Sequence, residues 1–379
     1  MNHRLAYVAV SKPEDRRSWS GINYFMAQSL RREVGELTWI GPLKRRLEPW
    51  FRAKQALSRL RGYRRLINRE PPILKGFARQ AAARINQADI DLVFSPSSLP
   101  IAYLESSKPI FFWTDATFAS ILGFYVDPSL LDPDSIRDGH AAERAALERC
   151  ALAIYSSDWA AASAVADYQI APDKVKVVPF GANLDSRPAY AEVRDAIAKR
   201  RSDRCQLLFA GVEWIRKGGD IAVEIAKRLN EAGLRTKLIV LGCQPNRASL
   251  PEFVDAVGFI NKHTKDGKKA FDSLFASSHF LILPSRADCT PVVFSEGCSF
   301  GLPCVGSNVG GIPTIIRGGI NGMTFDMTDV DVVCSYIEGL IGNRAEYEQL
   351  ARSTFDDFEK RLNWEAAGRT VRALIEARL

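Results

Sequence analysis

The charged side chains and glycines best placed to hold a ligand cluster between Gly211 and Gly311. In the run Leu207 to Asp220, an apolar stretch ends at Gly211, a short loop presents Arg216 and Lys217, and a helix is expected to begin near Asp220. Glycines let a ligand approach the backbone, a helix start offers unpaired amides, and two cations add full charges. Such a turn suits an anion, a diphosphate above all, although a capped helix flanked by solvated cations would read the same way.

A second segment, Pro284 to Gly297, follows the apolar run Phe280 to Leu283 and carries Asp288 in a loop and Glu296 eight positions on, inside an expected helix. A carboxylate on an otherwise apolar helical face can accept hydrogen bonds from two neighbouring hydroxyls, as on a ribose. Asp288 and the loop amides can meet a sugar and its phosphate; the bland alternative is an Asp cap and a Glu paired with an arginine. The third segment, Gly301 to Pro313, reads as a turn, a short strand and the pair Gly310-Gly311 opening another helix, again suited to backbone contact with a phosphate.

In order and spacing the three segments resemble glycosyltransferase family 4, whose pattern holds a basic-Lys-Gly turn, a Glu-x7-Glu segment and a following Gly-Gly loop. Ser156 to Trp159 and Val177 to Asn183 look like the family's segments before its interdomain linker, so the likeness covers most of residues 90 to 330. The resemblance implies a GT-B fold and a retaining transfer from a UDP- or GDP-sugar without a metal. It also implies that a donor phosphate oxygen helps deprotonate the acceptor. Carried over by position, Lys217 and Arg216 would grip the diphosphate, with Gly211, Gly310 and Gly311 allowing close approach. Glu296 would take the ribose, and Asp288 with Cys289, Thr290, Pro291 and Val292 the transferred sugar. Three departures mark this chain: Asp288 replaces the first glutamate, Val212 stands where an arginine often follows the strand glycine, and Pro291 removes an amide donor.

Two further candidates lie in the first half. Asp115 leaves the apolar run Phe111 to Trp113 at its carboxyl end, where α/β sheets place ligands, and is a candidate for sugar or acceptor contact or else a helix cap. It matches by location only, because many family members carry a histidine there. Gly21, in Trp19-Ser20-Gly21-Ile22, resembles the family's glycine-bearing turn, whose amides could meet a diphosphate or acceptor; a plain serine cap is the alternative. The Asp-x-Asp runs at 89–91 and 132–134 are expected as caps or turns, and the cysteines and histidines lack metal-ligand spacing.

These residues need elements to hold them. Short apolar runs alternate with helical periodicity from Leu5 to Tyr168 and again from Cys205 to Ser299, which calls for α/β architecture with mostly parallel sheets. With the resemblance, the expected plan is two doubly wound Rossmann-like domains with a cleft between them. Residues 1–184 form the acceptor-side domain, 185–204 a linker, 205–361 the nucleotide-sugar domain, and a last helix, about 362–379, packs back on the first.

At 379 residues, 46% hydrophobic and 25% charged, the composition fits two folded domains and excludes wholesale disorder. Seven cysteines without a CxxC pair, and no long apolar run, lead us to expect reduced thiols and a cytoplasmic protein. The stretch Lys44 to Arg69 holds ten Lys or Arg (44, 45, 46, 52, 54, 59, 61, 64, 65 and 69) against one acid, Glu48. Trp50, Phe51 and Leu57 among those cations point to a peripheral contact with an anionic inner-membrane surface or an anionic acceptor, beside the simpler solvated helix face. No nucleic-acid motif accompanies the charge. The expected function is sugar transfer to a glycan, lipid-linked or glycoconjugate acceptor, as in polysaccharide biosynthesis. The rivals are a catalytically impaired nucleotide-sugar-binding protein and a sugar-nucleotide epimerase of the same fold.

Overall fold

A computed structural model describes residues 2–16, 18–45, 49–246 and 250–379. The chain divides into two compact units, 1–180 with 367–379, and 181–366.

The first unit is built on β1 (His3–Val8), β2 (Gly35–Ile40), β3 (Leu92–Ser95), β4 (Ile110–Thr114), β5 (Leu152–Tyr155) and β6 (Val175–Val177), in the order β2-β1-β3-β4-β5-β6. The second has β7 (Cys205–Gly211), β8 (Thr236–Gly242), β9 (Val254–Gly258), β10 (Phe280–Leu283), β11 (Cys304–Ser307) and β12 (Gly322–Phe325), in the order β12-β11-β10-β7-β8-β9. Every pairing is parallel. Helices on both faces keep the central strands out of water, which is why β10 (FLIL) is apolar throughout, β4 (IFFWT) is apolar up to its last residue, and both are wholly buried.

Strand order reverses between β1 and β3 in one sheet and between β7 and β10 in the other, the positions at which open parallel α/β sheets place ligands. In the second unit the loops leaving those strands carry Arg216 with Lys217 and Asp288. The helix Gly219–Glu231 that follows the first loop buries Ala222, Ile225, Ala226 and Leu229, the spacing of one helical face, so the sheet fixes where its start points.

The interval 185–204, expected as a linker, contains the helix Tyr190–Lys199, whose Val193 and Ile197 enter the core of the second unit. The last helix, Trp364–Glu376, begins in the second unit, while 367–379 groups with the first. There Arg378 donates to Asp173, and Gly368 lies close against Ser29. All seven cysteines are buried and unbridged, and among the described residues no helix is long and apolar enough to cross a membrane.

The basic stretch divides. Arg46 and Glu48 lie outside the described residues. Pro49–Leu60 is a helix that buries Phe51 and leaves Trp50, Leu57 and Leu60 exposed, with the Lys54 ammonium 4.5 Å from the Trp50 ring centre. Arg65 turns inward to Glu70 at 2.7 Å and Asp132 at 3.0 Å, and Arg69 lies 3.8 Å from buried Glu143. Both cations face carboxylates, so the positive surface is smaller than the sequence count suggests. Asp132 caps the helix Pro133–Arg149, and Asp89 and Asp91 pair with Arg4.

Candidate functional site

The turn after β7 is closed by its own backbone: Lys217 N donates to Glu213 O at 2.9 Å and Gly219 N to Trp214 O at 2.9 Å. Gly218 takes the left-handed region (φ 75°), and a Cβ there would stand 1.9 Å from the Pro284 carbonyl oxygen. Only glycine lets this turn lie against the loop after β10. Gly211 serves a similar end, since the Lys217 side chain passes across its bare Cα.

Arg216 and Lys217 play different parts. The Arg216 fork lies on Glu213 at 2.7 and 3.0 Å and on the Ala287 carbonyl at 2.9 Å, and Arg286 N donates to Arg216 O at 2.8 Å. Arg216 thus staples the two loops, and its hydrogen bond holds the Glu213 carboxyl below its ordinary range. A second staple, unforeseen in the sequence, is the bidentate pair of Arg286 with Asp220 at 2.7 and 2.8 Å, which likewise lowers the Asp220 carboxyl. Lys217 instead reaches inward to pair with Asp288, and Ser285 Oγ approaches the same Asp288 oxygen at 3.4 Å.

The third segment joins through the backbone, because Gly311 N donates to Asp288 O at 3.1 Å while Gly310 supplies the left-handed turn (φ 55°) before it. Asp288, Cys289, Thr290 and Val292 are all buried. Pro291 caps the helix Val292–Cys298 without a side-chain bond, and the Thr290 hydroxyl donates to the Cys289 carbonyl at 2.6 Å. Glu296, also buried, pairs with Lys262, a residue on the loop after β9 that no motif singled out. Lys217, Asp288, Gly310 and Gly311 therefore converge at the carboxyl ends of β7, β10 and β11, and Glu296 lies on the helix that leaves the same loop. Two buried carboxylates, each paired with a part-buried lysine, sit there beside a glycine turn, a set suited to an anion and a polyol.

In the first unit, Trp19 and Ser20 both adopt positive φ (51° and 54°) ahead of Gly21 (φ 86°). Gly21, not Ser20, occupies the cap of the helix Ile22–Glu33. The bent turn brings the Trp19 indole Nε1 to 3.1 Å from Asp115 Oδ2 and sets the ring edge-on to Phe180. Asp115 is not a helix cap: Thr117 holds that position for Phe118–Ile121, accepting from Ser120 N at 3.0 Å. The structure thus joins the Gly21 turn to Asp115 within the first unit.

Comparison with known proteins bears on the fold and on this half of the chain. The sucrose-phosphate synthase of Thermosynechococcus elongatus has a TM-score of 0.69 at 15% identity, covering 99% of both chains. The Anabaena protein HepE in complex with UDP and glucose has a TM-score of 0.64 at 13% identity, covering 99% of this chain and 100% of that one. The architecture is accordingly GT-B, an α/β fold of two doubly wound domains. Among curated proteins, the D-inositol 3-phosphate glycosyltransferase of Xylanimonas cellulosilytica is 26% identical over 52% of this chain and 49% of its own length. The alpha-D-kanosaminyltransferase of Streptomyces kanamyceticus is 23% identical over 56% of each. The chain spans about half the length of these relatives. Residues 192–356, the stretch that holds Lys217, Lys262, Asp288, Glu296 and Gly311, match the family of glycosyl transferases group 1.

Proposed function

We propose that this protein is a retaining glycosyltransferase of family 4 that moves a sugar from a UDP- or GDP-sugar to a glycan, lipid-linked or glycoconjugate acceptor. The observation that carries the proposal is the meeting of Lys217, Asp288 and the Gly310-Gly311 turn at a strand-order reversal, within the segment that matches the glycosyltransferase family.

As the bond from the anomeric carbon to the nucleoside diphosphate breaks, negative charge grows on the leaving phosphate and positive charge on the sugar ring. Lys217 and the Gly310 amide stabilise the phosphate, the Gly311 amide being held by the Asp288 carbonyl, which lets the protein's own charges serve without a metal ion. Arg216 contributes by fixing the turn that carries Lys217. Asp288 and the Thr290 to Val292 backbone face the transferred sugar, and Glu296 accepts from the ribose hydroxyls. A phosphate must draw Lys217 away from Asp288, which frees that carboxylate for a sugar hydroxyl at the moment of binding. Gly21 and Asp115 belong to acceptor recognition, with Trp19 holding the carboxylate in place.

The helix Pro49–Leu60 supports peripheral attachment to an anionic membrane face. Its exposed Trp50, Leu57 and Leu60 stand among Arg52, Lys54 and Arg59.

The test is a thermal-stability screen with UDP, GDP and their sugars, followed by transfer assays with the nucleotide that stabilises. One nucleotide raising the melting point of wild type but not of Lys217→Ala, together with sugar transfer, supports the enzyme. Stabilisation without transfer or hydrolysis favours the impaired binder, and interconversion of the sugar nucleotide with no acceptor favours an epimerase.

A further inference from the structure

We infer that Lys262 is a positioning residue for ribose recognition: its ammonium occupies one oxygen of Glu296 and so presents the other to the vicinal hydroxyls of the donor's ribose. This rests on the proposal that Glu296 is the ribose acceptor.

Glu296 lies on the helix Val292–Cys298, where Val292, Phe294, Ser295, Gly297 and Cys298 are all buried around it. The Lys262 ammonium contacts Oε1, the one side-chain hydrogen bond or ion pair to this carboxylate among the described residues. The side chains are 22% exposed for Lys262 and 8% for Glu296. A buried carboxylate with one partner needs a fixed partner, since a carboxylate free to rotate among solvent-starved positions is a poor template for two hydroxyls.

The loop after β9 is built to hold Lys262 still. Asn261 O accepts from Thr264 N at 3.1 Å, Asn261 Oδ1 from His263 N at 3.2 Å, and Thr264 Oγ1 from Gly267 N at 3.2 Å, capping the helix Lys265–Ser277. A Cβ at Gly267 would stand 2.1 Å from the Asn261 carbonyl oxygen, so the turn closes only over a glycine. At the apex, the Lys262 ammonium lies 5.4 Å from the Phe271 ring centre, a second favourable contact that steers it toward Glu296 rather than into solvent. A lysine that merely solubilised this loop would need neither the closed turn nor the aromatic face.

The experiment measures binding of UDP, GDP, their 2′,3′-dideoxy forms and inorganic pyrophosphate by calorimetry to wild type, Lys262→Met and Lys262→Arg. Wild type is expected to prefer the ribose form of its nucleotide over the dideoxy form by about tenfold or more, as for hydroxyls donating to a charged acceptor. In Lys262→Met the preference falls below about threefold while pyrophosphate affinity stays within about twofold, and Lys262→Arg restores the preference. Unchanged preference in Lys262→Met, or an equal loss of pyrophosphate binding, overturns the role of Lys262 while leaving Glu296 on the ribose. A wild type that binds ribose and dideoxy forms equally removes Glu296 from the ribose and Lys262 with it.

Discussion

Replacing Lys217 by methionine tests both the architecture of the site and its charge. The Lys217 and Asp288 side chains are 13% and 7% exposed, so their pair is shielded from solvent, and Ser285 at 3.4 Å is too distant to replace the ammonium. Removing one partner of a buried pair leaves an uncompensated charge and is expected to cost about 3–5 kcal/mol of unfolding free energy in the ligand-free protein. Converting both partners, in Lys217→Met with Asp288→Asn, removes the stranded charge, so most of that stability returns. Catalysis is expected to follow the opposite logic. Under the proposal both variants lack the cation on the leaving phosphate: transfer falls about 10²–10³-fold in the single variant, the loss typical of one preorganised donor, and at least as far in the double, which also lacks the Asp288 carboxylate. Urea unfolding followed by tryptophan fluorescence gives the first quantity and transfer rates the second. A single variant less than about 1 kcal/mol below wild type would show that the pair is not buried as described. A double variant with wild-type transfer would show that Lys217 does not meet the diphosphate.

Three other expectations concern the frame that holds these groups. Gly218→Ala combines a left-handed backbone with a 1.9 Å approach to the Pro284 carbonyl, whereas Gly233, also left-handed (φ 91°), faces open space. The first substitution is therefore expected to cost well over 2 kcal/mol and the second about 1 kcal/mol, and equal losses in denaturant melts would contradict the contact. His279 is buried, accepting from Gln206 N at 2.9 Å and donating to Arg201 O at 2.7 Å, and burial lowers its imidazole from the usual 6.5 to about 4. The unfolded chain takes up that proton first, so the stabilisation is complete above pH 6.5 and fades as pH falls toward 4, by about 3 kcal/mol in all. His279→Gln should flatten that slope, and an unchanged slope between those limits would rule the residue out. Finally, deleting 367–379 strips Val371 and Ile375, both fully buried, from the first unit and should cost about 3–6 kcal/mol by their apolar area alone. Nucleotide binding should survive that deletion at low temperature; a truncated protein as stable as wild type by calorimetry would refute the packing.

What the sequence disclosed follows from how each element earns its place. Strands such as Phe280–Leu283 and helices with a regular buried face, such as Gly219–Glu231, were legible because burial on both sides or on one stripe writes a period into the residues. Pro71–Ile85 and Pro133–Arg149 are harder to read because each opens on proline, which suggests a break although the first helical turn tolerates it. The strands Val254–Gly258 and Gly322–Phe325 lie at sheet edges with mixed burial, and so carry no continuous apolar run.

The same distinction explains the site. Lys217 and the Gly310-Gly311 turn were legible because a glycine that must adopt a left-handed turn, as at 218 and 310, or a charge beside it, leaves a local mark at fixed spacing. Lys262 left none: its partner is 34 positions away, and its meaning arises only when β9 and the helix after β10 are folded against one sheet. Arg216 shows the converse. Its position in the turn pointed to a ligand, yet Glu213 three residues before it and the Ala287 carbonyl on the loop after β10 take up its fork. A local pattern can nominate a cation for an anion site, but whether that charge faces the ligand or fastens the loop depends on which acceptors the fold delivers first. Here the fold delivers a carbonyl and a carboxylate to Arg216 and a buried carboxylate to Lys217, so Arg216 fastens the loops and the Lys217 pair is the one that the proposed mechanism opens to a phosphate.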